Sequence, residues 1–433
     1  MKKIIIVATM LALAIFAFPK NNVAGQKKLP SEYEGTMMPY NFDGVDVVPV
    51  WQDSLQPVYL AHVARHGARY ISSPKKLDKL RKAIAESKES GSLTKTGIAF
   101  ESLLDRISEV SDGRWGALSE VGCMEEQQIA KNLYSLMPSL LKDAKVNAIS
   151  SYVPRVAMTM YEFCHQLAWM SSDVRISSSE GKEYDALLRC FEADPEFDKY
   201  RSEGEWKLLH DSIIDAKVSP EPAKRILGNQ RGLSDKKLRK LTMEMYDVLQ
   251  SLDAFGMPAA DQQFMSADEF KSCWEVDNME HYLRNAITPY SDMAGKATAP
   301  LLAKIVADAD NALDNKRLEM TLKSAGMYSE GILPERYDAN LYFGHAETLM
   351  PLLSLMGVEG CSYVSTDLDV LSSKWRDYDI VPLGAHLDII LLAGPSGTIY
   401  VALQLNGNFL PPLPDGKIIS TWESYRNYLI NLL

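Results

Sequence analysis

An apolar run that ends in a basic cluster is the feature that most constrains the fold of this 433-residue chain. The run PVYLAHVA (57–64) has the composition of a buried strand, and RHGAR (65–69) follows it directly. A buried strand of this kind is typical of a sheet that is covered by helices. The basic cluster at its end is therefore either a solvated turn or a pocket that holds an anion beside an imidazole.

Further patterns along the chain predict the same kind of sheet. KVNAIS (145–150) and ANLYFG (339–344) have strand character, and each is followed by a helical pattern. HLDIILLAG (386–394) and TIYVALQLN (398–406) flank the turn residues PSG, which predicts a β-hairpin. The expected fold is α/β, with a mostly parallel central sheet and flanking helices.

The middle of the chain differs from both ends, because it is richer in charge and in helical pattern. We expect residues 30–180 and 300–433 to form the α/β core, with residues 185–300 inserted as a helical cap. In open α/β sheets, ligands bind beyond the carboxyl ends of the strands. Polar residues that follow the predicted strands are therefore the candidates for a functional site.

Residues 1–25 have the pattern of a secretory signal peptide. Basic MKK precedes apolar IIIVATMLALAIFAF, and the polar exit with small residues predicts cleavage near Ala24 or Gly25. An uncleaved membrane anchor is the alternative, but the apolar stretch is short for a span. The protein is therefore expected to be exported, either periplasmic or secreted, and free of the membrane after cleavage.

The composition constrains the possible partners. Hydrophobic residues make up 46% of the chain and charged residues 24%, which is enough for a substantial core. The formal net charge of -11 argues against a nucleic-acid partner, which normally needs a basic face on the protein. A small anionic substrate is compatible with it, because the local charge of a pocket matters more than the total. We expect a monomer.

The five cysteines lie far apart, without a CxxC pair or the spacing of a zinc site. An exported protein can form up to two disulfides from them, and their pairing does not follow from the sequence. Structural roles are expected for Cys123, Cys164, Cys190, Cys273 and Cys361.

Arg65, His66 and Arg69 have the chemistry of a phosphate site. Guanidinium groups bind phosphate oxygens bidentately and stay charged at working pH. Gly67 removes a side chain where the backbone must approach a ligand closely. A neutral imidazole between these arginines can attack phosphorus as a nucleophile.

Two other predicted strand ends carry residues that suit the same chemistry. Arg155 follows Pro154 at a predicted helix N-terminus, where free N–H groups favour an anion. His345 can donate to phosphate oxygens, and Glu347 can act as a general acid toward a leaving alkoxide. Alternatively, His345, Glu347 and His386 form a two-histidine, one-carboxylate iron site, although such a site needs no arginine cluster. Apart from that alternative, structural or surface positions are expected for His62, His165, His210, His281 and His386.

These residues resemble the motifs of a known family. RHGAR after a strand resembles the R-H-G-x-R signature of the histidine phosphatase superfamily. HAE (345–347) resembles the proton-donor motif of the multiple inositol-polyphosphate phosphatase group, where most histidine acid phosphatases carry His-Asp. The segments GALSEVGCMEEQQIAKNLYSLMPSLL, SSYVPRVAMTM and VALQLNGNFLPPLP are also similar to stretches of the family. The resemblance spans about 55–430 and is weakest across the helical insertion.

The resemblance implies a role for each candidate residue. His66 would be the nucleophile that forms a phosphohistidine, and Glu347 would protonate the leaving oxygen and activate the hydrolytic water. The residues that would hold the phosphoryl group are Arg65, Arg69, Arg155 and His345. No metal or other cofactor is implied, because the arginines supply the charge that a magnesium ion would otherwise supply.

Together these features predict an exported, metal-independent phosphomonoesterase. The resemblance implies inositol polyphosphates such as phytate as substrates, and Lys75 and Lys76 could then reach distal phosphates. A broad-specificity acid phosphatase acting on sugar phosphates is one alternative. The other is a non-catalytic phosphate-binding module, which would need the same arginines but no acid.

Overall fold

The computed structural model of the protein describes residues 28–228, 232–257, 262–329, 331–333 and 335–433. The predicted signal peptide, 1–25, lies outside these residues. The strands are β1 (Gln56–Arg65), β2 (Lys145–Ser150), β3 (Arg175–Glu180), β4 (Ala339–Gly344), β5 (His386–Ala393), β6 (Ile399–Leu405), β7 (Asn408–Leu410) and β8 (Ile419–Thr421).

The helices of the described residues are α1 (Lys75–Glu89), α2 (Lys95–Ser111), α3 (Glu120–Leu136), α4 (Pro138–Leu141), α5 (Pro154–Met170), α6 (Asp185–Leu188), α7 (Cys190–Ala193), α8 (Pro195–Glu203), α9 (Trp206–Lys217), α10 (Glu221–Leu227), α11 (Asp235–Leu249), α12 (Ala267–Asn285), α13 (Met293–Ser324), α14 (Ala346–Leu355), α15 (Leu371–Lys374), α16 (Asp377–Ile380) and α17 (Trp422–Ile430). Short 3-10 helices span Ser31–Met37, Lys182–Tyr184 and Asp253–Phe255.

One sheet contains these strands in the order β3-β2-β4-β1-β5-β6-β7, with β8 paired to β6. The pairs from β3 to β1 are parallel, whereas β5, β6 and β7 add antiparallel pairs. The predicted hairpin is formed by β5 and β6. The prediction of an α/β fold is confirmed, and the parallel strands are those that carry the candidate residues.

The carboxyl ends of β1, β2 and β4 meet at one edge of the sheet. In the strand register, Arg65 lies opposite Gly344, and Ser150 lies opposite Phe343. Because parallel strands place their carboxyl ends at the same edge, residues far apart in the sequence become neighbours there.

Helices cover both faces of the sheet, because successive side chains of a strand point to opposite sides. Tyr59, Ala61 and Val63 of β1 pack with side chains of α13, α14 and α17. Leu60 and Ala64 of the same strand pack on the other face with α3 and α5. Strand β1 is thus buried on both faces, as its continuous apolar sequence predicts.

A second set of helices packs beside the site edge of the sheet. Apolar side chains of α1, α2, α10, α11 and α12 form one cluster, which includes Leu80 and Phe100. Helices α1 and α2 precede the predicted insertion (185–300) in the sequence and nevertheless pack on its helices. The division into a core of 30–180 and 300–433 with a separate cap stays a prediction.

The five cysteines are free thiols, and four of them are buried. Burial raises the pKa of Cys164 and Cys190 to about 12, so these thiols stay protonated and serve packing rather than chemistry. Among the helices of the described residues, none combines the length and apolar composition that crossing a bilayer requires.

Candidate active site

The turn that follows β1 is held between two neighbouring strands. The N–H of His66 donates to the carbonyl of Gly344 at 3.1 Å, and the N–H of Gly384 donates to the carbonyl of His66 at 3.1 Å. Gly344 ends β4, and Gly384 lies in the turn just before β5. The position of His66 is therefore set by the sheet and not by a mobile loop.

The same turn packs closely against helices α3 and α5. The N–H of Gly67 donates to Thr159 Oγ1 at 3.1 Å, and the N–H of Ala68 donates to Glu125 Oε2 at 2.7 Å. A Cβ on Gly122 would lie 2.2 Å from the carbonyl oxygen of Ala68. Glycine at this position of α3 is thus what permits the helix to approach the turn.

The ring of His66 has a defined proton position. Its Nδ1 lies 2.9 Å from the carbonyl oxygen of Gly67. Because a carbonyl oxygen only accepts, Nδ1 carries the proton and Nε2 keeps its lone pair. Burial, together with neighbouring cations of which Arg155 is the strongest, lowers the pKa of His66 well below its usual value. The ring is therefore neutral, with a free nucleophilic nitrogen.

Three arginines lie close to this ring. Arg65 donates from Nη1 to the carbonyls of Thr36 and Val381, both at 2.5 Å, which fixes one end of its guanidinium group. Among the described residues, Nε of Arg65, Arg69 and Arg155 is buried and has no hydrogen-bond partner. Buried donors without partners are rare in proteins, and three of them together are typical of an anion site.

The electrostatics of these arginines also favour an anion. Burial and the charge of Arg155 lower the pKa of Arg69 to about 9. Burial likewise lowers the pKa of Arg65 to about 10, although the carboxylate of Glu347 acts in the opposite direction. A dianion placed among the arginines would offset both the lost hydration and the mutual repulsion.

His345 lies next to this cluster at the end of β4. Its ring centroid is 5.7 Å from that of His66, and its Nε2 is 3.2 Å from Ser151 Oγ. Arg189 Nη1 lies 3.4 Å from the same nitrogen. Burial lowers the pKa of His345 to about 3, in spite of the neighbouring Glu347 carboxylate. A neutral His345 can donate one hydrogen bond to an oxygen of a bound anion.

Glu347 lies in the first turn of α14. Its Oε1 is 3.4 Å from Nη2 of Arg201, and its side chain is 36% exposed. Burial would raise the pKa of Glu347, but the charge of Arg201, the neighbouring His345, a backbone hydrogen bond and the charge of Arg65 outweigh it and hold the pKa at about 2. Glu347 is therefore a carboxylate in the free enzyme. It can take up a proton once the negative charge of a substrate offsets these cations.

A cavity of about 300 Å³ is lined by Arg65, His66, Arg69, Arg155 and Glu347. The helical region supplies the remaining wall, with Asp247, Gln250 and Ser251 near the end of α11 and Asp277, His281 and Asn285 at four-residue spacing on α12. The spacing places the last three side chains on one face of the helix.

His281 carries a positive charge in this wall. Its Nδ1 donates to Asp377 Oδ2 at 2.8 Å and lies 3.9 Å from Asp277 Oδ2. Burial would lower the pKa of His281, but Asp277 and Asp377 outweigh it and raise the pKa to about 9. Burial raises the pKa of Asp277 to about 7. The wall therefore contains a carboxyl group that titrates near neutral pH.

A comparison with protein families decides the identity of this arrangement. The sequence pattern of the histidine phosphatase superfamily (branch 2) matches residues 59–406, which is more than half of the chain. The chain belongs to this superfamily. Its membership confirms the predicted family and the prediction of a phosphatase enzyme.

Several known proteins are similar to this histidine phosphatase over most of its length. Human multiple inositol polyphosphate phosphatase 1 is 24% identical over 446 residues, which cover 93% of this chain and 87% of the human protein. The structure of Bifidobacterium longum multiple inositol polyphosphate phosphatase with inositol hexasulfate matches with a TM-score of 0.71 at 16% identity, over 90% of this chain and 96% of that one. The phytase from D. castellii matches with a TM-score of 0.65 at 14% identity, over 93% and 85% of the two chains. The Bifidobacterium longum and D. castellii structures therefore have the same fold as this chain.

The structure of this phosphatase brings most of the predicted residues together. His66, Glu347 and the arginines Arg65, Arg69 and Arg155 line the cavity, and Nδ1 of His345 lies 3.5 Å from Arg155 Nη2. Lys76 also lines it, with Nζ 3.8 Å from Asp247 Oδ2, whereas Lys75 is exposed and is not part of the wall. The catalytic and binding roles of these residues stay predictions.

His386 does not join His345 and Glu347. It stacks on Tyr40 with ring centroids 5.4 Å apart, and its Nε2 lies 3.6 Å from Asp388 Oδ2. Across the described residues, the one set of three potential ligands within 4.8 Å of one another is Asp277, His281 and Asp377. The geometry therefore does not support the alternative iron site. His281 was expected to be structural or at the surface; it lines the cavity and is bound to the buried Asp377, and its role stays a prediction.

Two arginines of the helical region near the site have no counterpart among the residues predicted from the sequence. Arg189 reaches His345, and Arg201 reaches Glu347, from the short helices around 185–203. No local pattern distinguishes them from the other arginines of that segment. The stripe on α12 did have a signal, since three polar residues recur every four positions in a helical pattern.

Proposed function

We propose that the protein is a metal-independent phosphomonoesterase that works through a phosphohistidine at His66. The proposal is carried by the hydrogen bond of 2.9 Å from Nδ1 of His66 to the carbonyl of Gly67. This bond leaves the lone pair of Nε2 free at a cavity whose wall holds three arginines. A neutral ring with a free nitrogen among guanidinium groups suits attack on phosphorus rather than simple binding of phosphate.

In the first step, Nε2 of His66 attacks phosphorus, and the bond between phosphorus and the ester oxygen breaks. Glu347, protonated when the substrate dianion is bound, gives its proton to that oxygen, so an alcohol leaves and a carboxylate remains. Arg65, Arg69 and Arg155 hold the phosphoryl oxygens and stabilise the charge of the transition state.

In the second step, water attacks the phosphorus of the phosphohistidine. The Glu347 carboxylate takes a proton from this water, and the bond between phosphorus and Nε2 breaks. Phosphate is released, and the ring of His66 returns to its neutral form. Each proton lost in the first step is thus recovered in the second.

We infer that the substrates are inositol polyphosphates such as phytate. Two observations support this inference. The human relative is named a multiple inositol polyphosphate phosphatase, and the Bifidobacterium longum structure contains inositol hexasulfate. Lys76 at the cavity wall would contact a distal phosphate.

A second candidate is a broad-specificity acid phosphatase that acts on sugar phosphates. It is favoured by Asp247 and Asp277, whose carboxyl groups line the cavity. Carboxylates accept hydrogen bonds from sugar hydroxyls but repel additional phosphates. A non-catalytic phosphate-binding module is less well supported, because Glu347 beside the anion site would weaken binding and serves only in turnover.

The test is an assay of the purified protein with phytate, glucose phosphate and p-nitrophenyl phosphate in the presence of EDTA. We expect hydrolysis of all three, with the highest kcat/KM for phytate, and loss of turnover in His66→Ala. The matched control is His165→Ala, which removes an exposed histidine of α5. Full activity of His66→Ala would refute the mechanism, and sensitivity to EDTA would refute metal independence.

We also propose that the protein is exported, because residues 1–25 have the pattern of a signal peptide, and that the exported protein is a monomer. N-terminal sequencing of the mature protein would then begin near residue 25, and light scattering would give the mass of one chain. An intact N-terminus in the cytoplasmic fraction would contradict export.

A further inference from the structure

Arg201 is a buried arginine of the helical region with a fixed orientation. Its Nε donates to Asn285 Oδ1 at 3.0 Å, and only 8% of its surface is exposed. Its guanidinium carbon lies 5.1 Å from the ring centre of Phe191 and 5.9 Å from that of Phe197. The amide and the two aromatic faces together leave Nη2 directed toward Glu347, at 3.4 Å from Oε1.

The position of Arg201 separates it from the phosphate-binding arginines. The arginines that line the cavity are Arg65, Arg69 and Arg155, and Arg201 lies behind Glu347 instead. A bound phosphoryl group would offset the charge of the first three. The charge of Arg201 would continue to act on the Glu347 carboxyl group during the reaction.

We propose that Arg201 is a positioning residue that orients Glu347, opposes its protonation and so sets the upper pH limit of proton donation to the leaving group. The inference rests on the proposed function, in which Glu347 is the general acid. The same contact favours the second step, because it stabilises the carboxylate that takes a proton from water.

Other charged groups also act on Glu347, and they come from several elements. The groups that face it are Arg65 at the end of β1, Arg69 after that strand, Arg155 on α5, Cys190 on α7, Arg201 on α8 and the neutral His345 after β4. Of these, Arg201 has the largest influence among the cations, and burial acts against it. The Cys190 thiol has its pKa raised to about 12 by burial and is therefore neutral. Removal of Arg201 should therefore raise the pKa of Glu347, because burial is then opposed by fewer cations, and the protonated acid becomes more favourable.

The experiment measures kcat against pH for the full-length enzyme and for Arg201→Gln, with glucose phosphate and with p-nitrophenyl phosphate. We expect the upper limb of the profile for glucose phosphate to move up by about 1 to 3 pH units, the usual effect of one close opposite charge on a carboxyl pKa. The upper limb for p-nitrophenyl phosphate should not move, because its leaving group needs little protonation. Arg201→Lys retains the charge and should keep the wild-type profile.

Arg284→Gln is the matched control. Arg284 is a partly buried arginine of α12 that pairs with Glu280 at 2.7 Å, so its loss removes a nearby charge without touching Glu347. An upper limb that stays in place in Arg201→Gln, or that moves equally in Arg284→Gln, would overturn the inference. A wild-type enzyme without phosphatase activity would instead refute the proposed function.

A second measurement does not depend on activity and needs no substitution at Arg201. Infrared difference spectra of the wild type against Glu347→Gln at pH 4 should show a carboxylate band for Glu347 in the free enzyme. A carboxylic acid band there would overturn the inference, because Arg201 would then not hold the group in its ionised form.

Discussion

The chemistry of single residues in this site depends on where protons lie. The carbonyl of Gly67 fixes the proton of His66 on Nδ1, and the neighbouring cations keep the ring neutral. Glu347 must donate a proton in the reaction, but its pKa of about 2 makes it a carboxylate before substrate binds. A substrate dianion changes this balance, which couples binding to the acid that the reaction needs.

Glu347→Gln should therefore lower kcat for glucose phosphate by about 100-fold or more, the usual contribution of a general acid. The loss with p-nitrophenyl phosphate should be much smaller in the first step, since p-nitrophenolate leaves without a proton. Steady-state kinetics with both substrates at several pH values give the comparison. Equal losses on the two substrates would remove Glu347 from the acid role.

At the scale of elements, the approach of helix α3 to the turn after β1 shapes the site. Gly122 leaves space for the backbone of Ala68, and Glu125 on the same helix accepts the N–H of Ala68. Burial raises the pKa of Glu125 to about 7, against these backbone hydrogen bonds. The helix thus supports the turn through both its shape and its hydrogen bonds.

Gly122→Ala should displace the turn, because the new Cβ would lie 2.2 Å from a backbone oxygen that cannot move freely. We expect the free energy of unfolding to fall by about 1 to 3 kcal/mol, as in other overpacked sites, and turnover to fall with it. Urea unfolding and kinetics measure the two effects. Met124→Ala, at an exposed position of α3, is the control and should change neither.

Helix α12 affects the charge of the cavity wall through its polar stripe, which consists of Asp277, His281 and Asn285. Asp277 titrates near pH 7, and above that pH its carboxylate would repel a distal phosphate. The imidazolium of His281 next to it is paired with Asp377, so this pair adds no net positive charge that would offset the carboxylate. The charge of this wall therefore depends on pH more than that of the arginine cluster.

The ratio of kcat/KM for phytate to that for glucose phosphate should accordingly fall as the pH rises through about 7. Asp277→Asn should flatten this dependence and raise the ratio at pH 8. Asp268→Asn, an exposed acid in the first turn of α12, serves as the control. A ratio that does not change with pH in the wild type would contradict a role of the stripe in selectivity.

At the scale of the whole molecule, buried histidines link stability to pH in two directions. Burial lowers the pKa of His386 to about 4 and that of His345 to about 3, so the unfolded chain binds more protons below about pH 6.5. Stability is therefore lost as the pH falls from that value. His281 has its pKa raised to about 9, so the stability that it contributes is present below pH 6.5 and lost as the pH rises through 9.

The free energy of unfolding should thus be highest near pH 6.5 and fall on both sides. For His386 alone we expect a loss of about 2 to 3 kcal/mol between pH 6.5 and 4.5, at 1.36 kcal/mol for each unit of pKa difference. Urea unfolding of the wild type, His386→Gln and His281→Gln at pH 4.5, 6.5 and 9 tests this. His386→Gln should flatten the acid side only, and His281→Gln the alkaline side only.

Much of the fold and of the phosphate cluster could be predicted from local sequence. The apolar runs that end at Arg65, Ser150 and Gly344 predict strands, and parallel strands bring their carboxyl ends to one edge. The residues that follow these ends are neighbours for that reason alone. The strand pattern of the sequence thus already predicts that the residues after these strand ends, His66, Arg155 and His345, lie close together.

The sequence by itself thus determined the α/β core and the chemical type of its site, because both follow from short-range pattern. Only the tertiary structure decided which residues of the helical region complete that site. His281 lines the cavity and Arg201 contacts Glu347, whereas His386 is buried beside Asp388, and no local pattern marks Arg201 or His386. The face that a helix turns toward a cavity depends on its packing with distant helices, and that packing is a property of the whole chain.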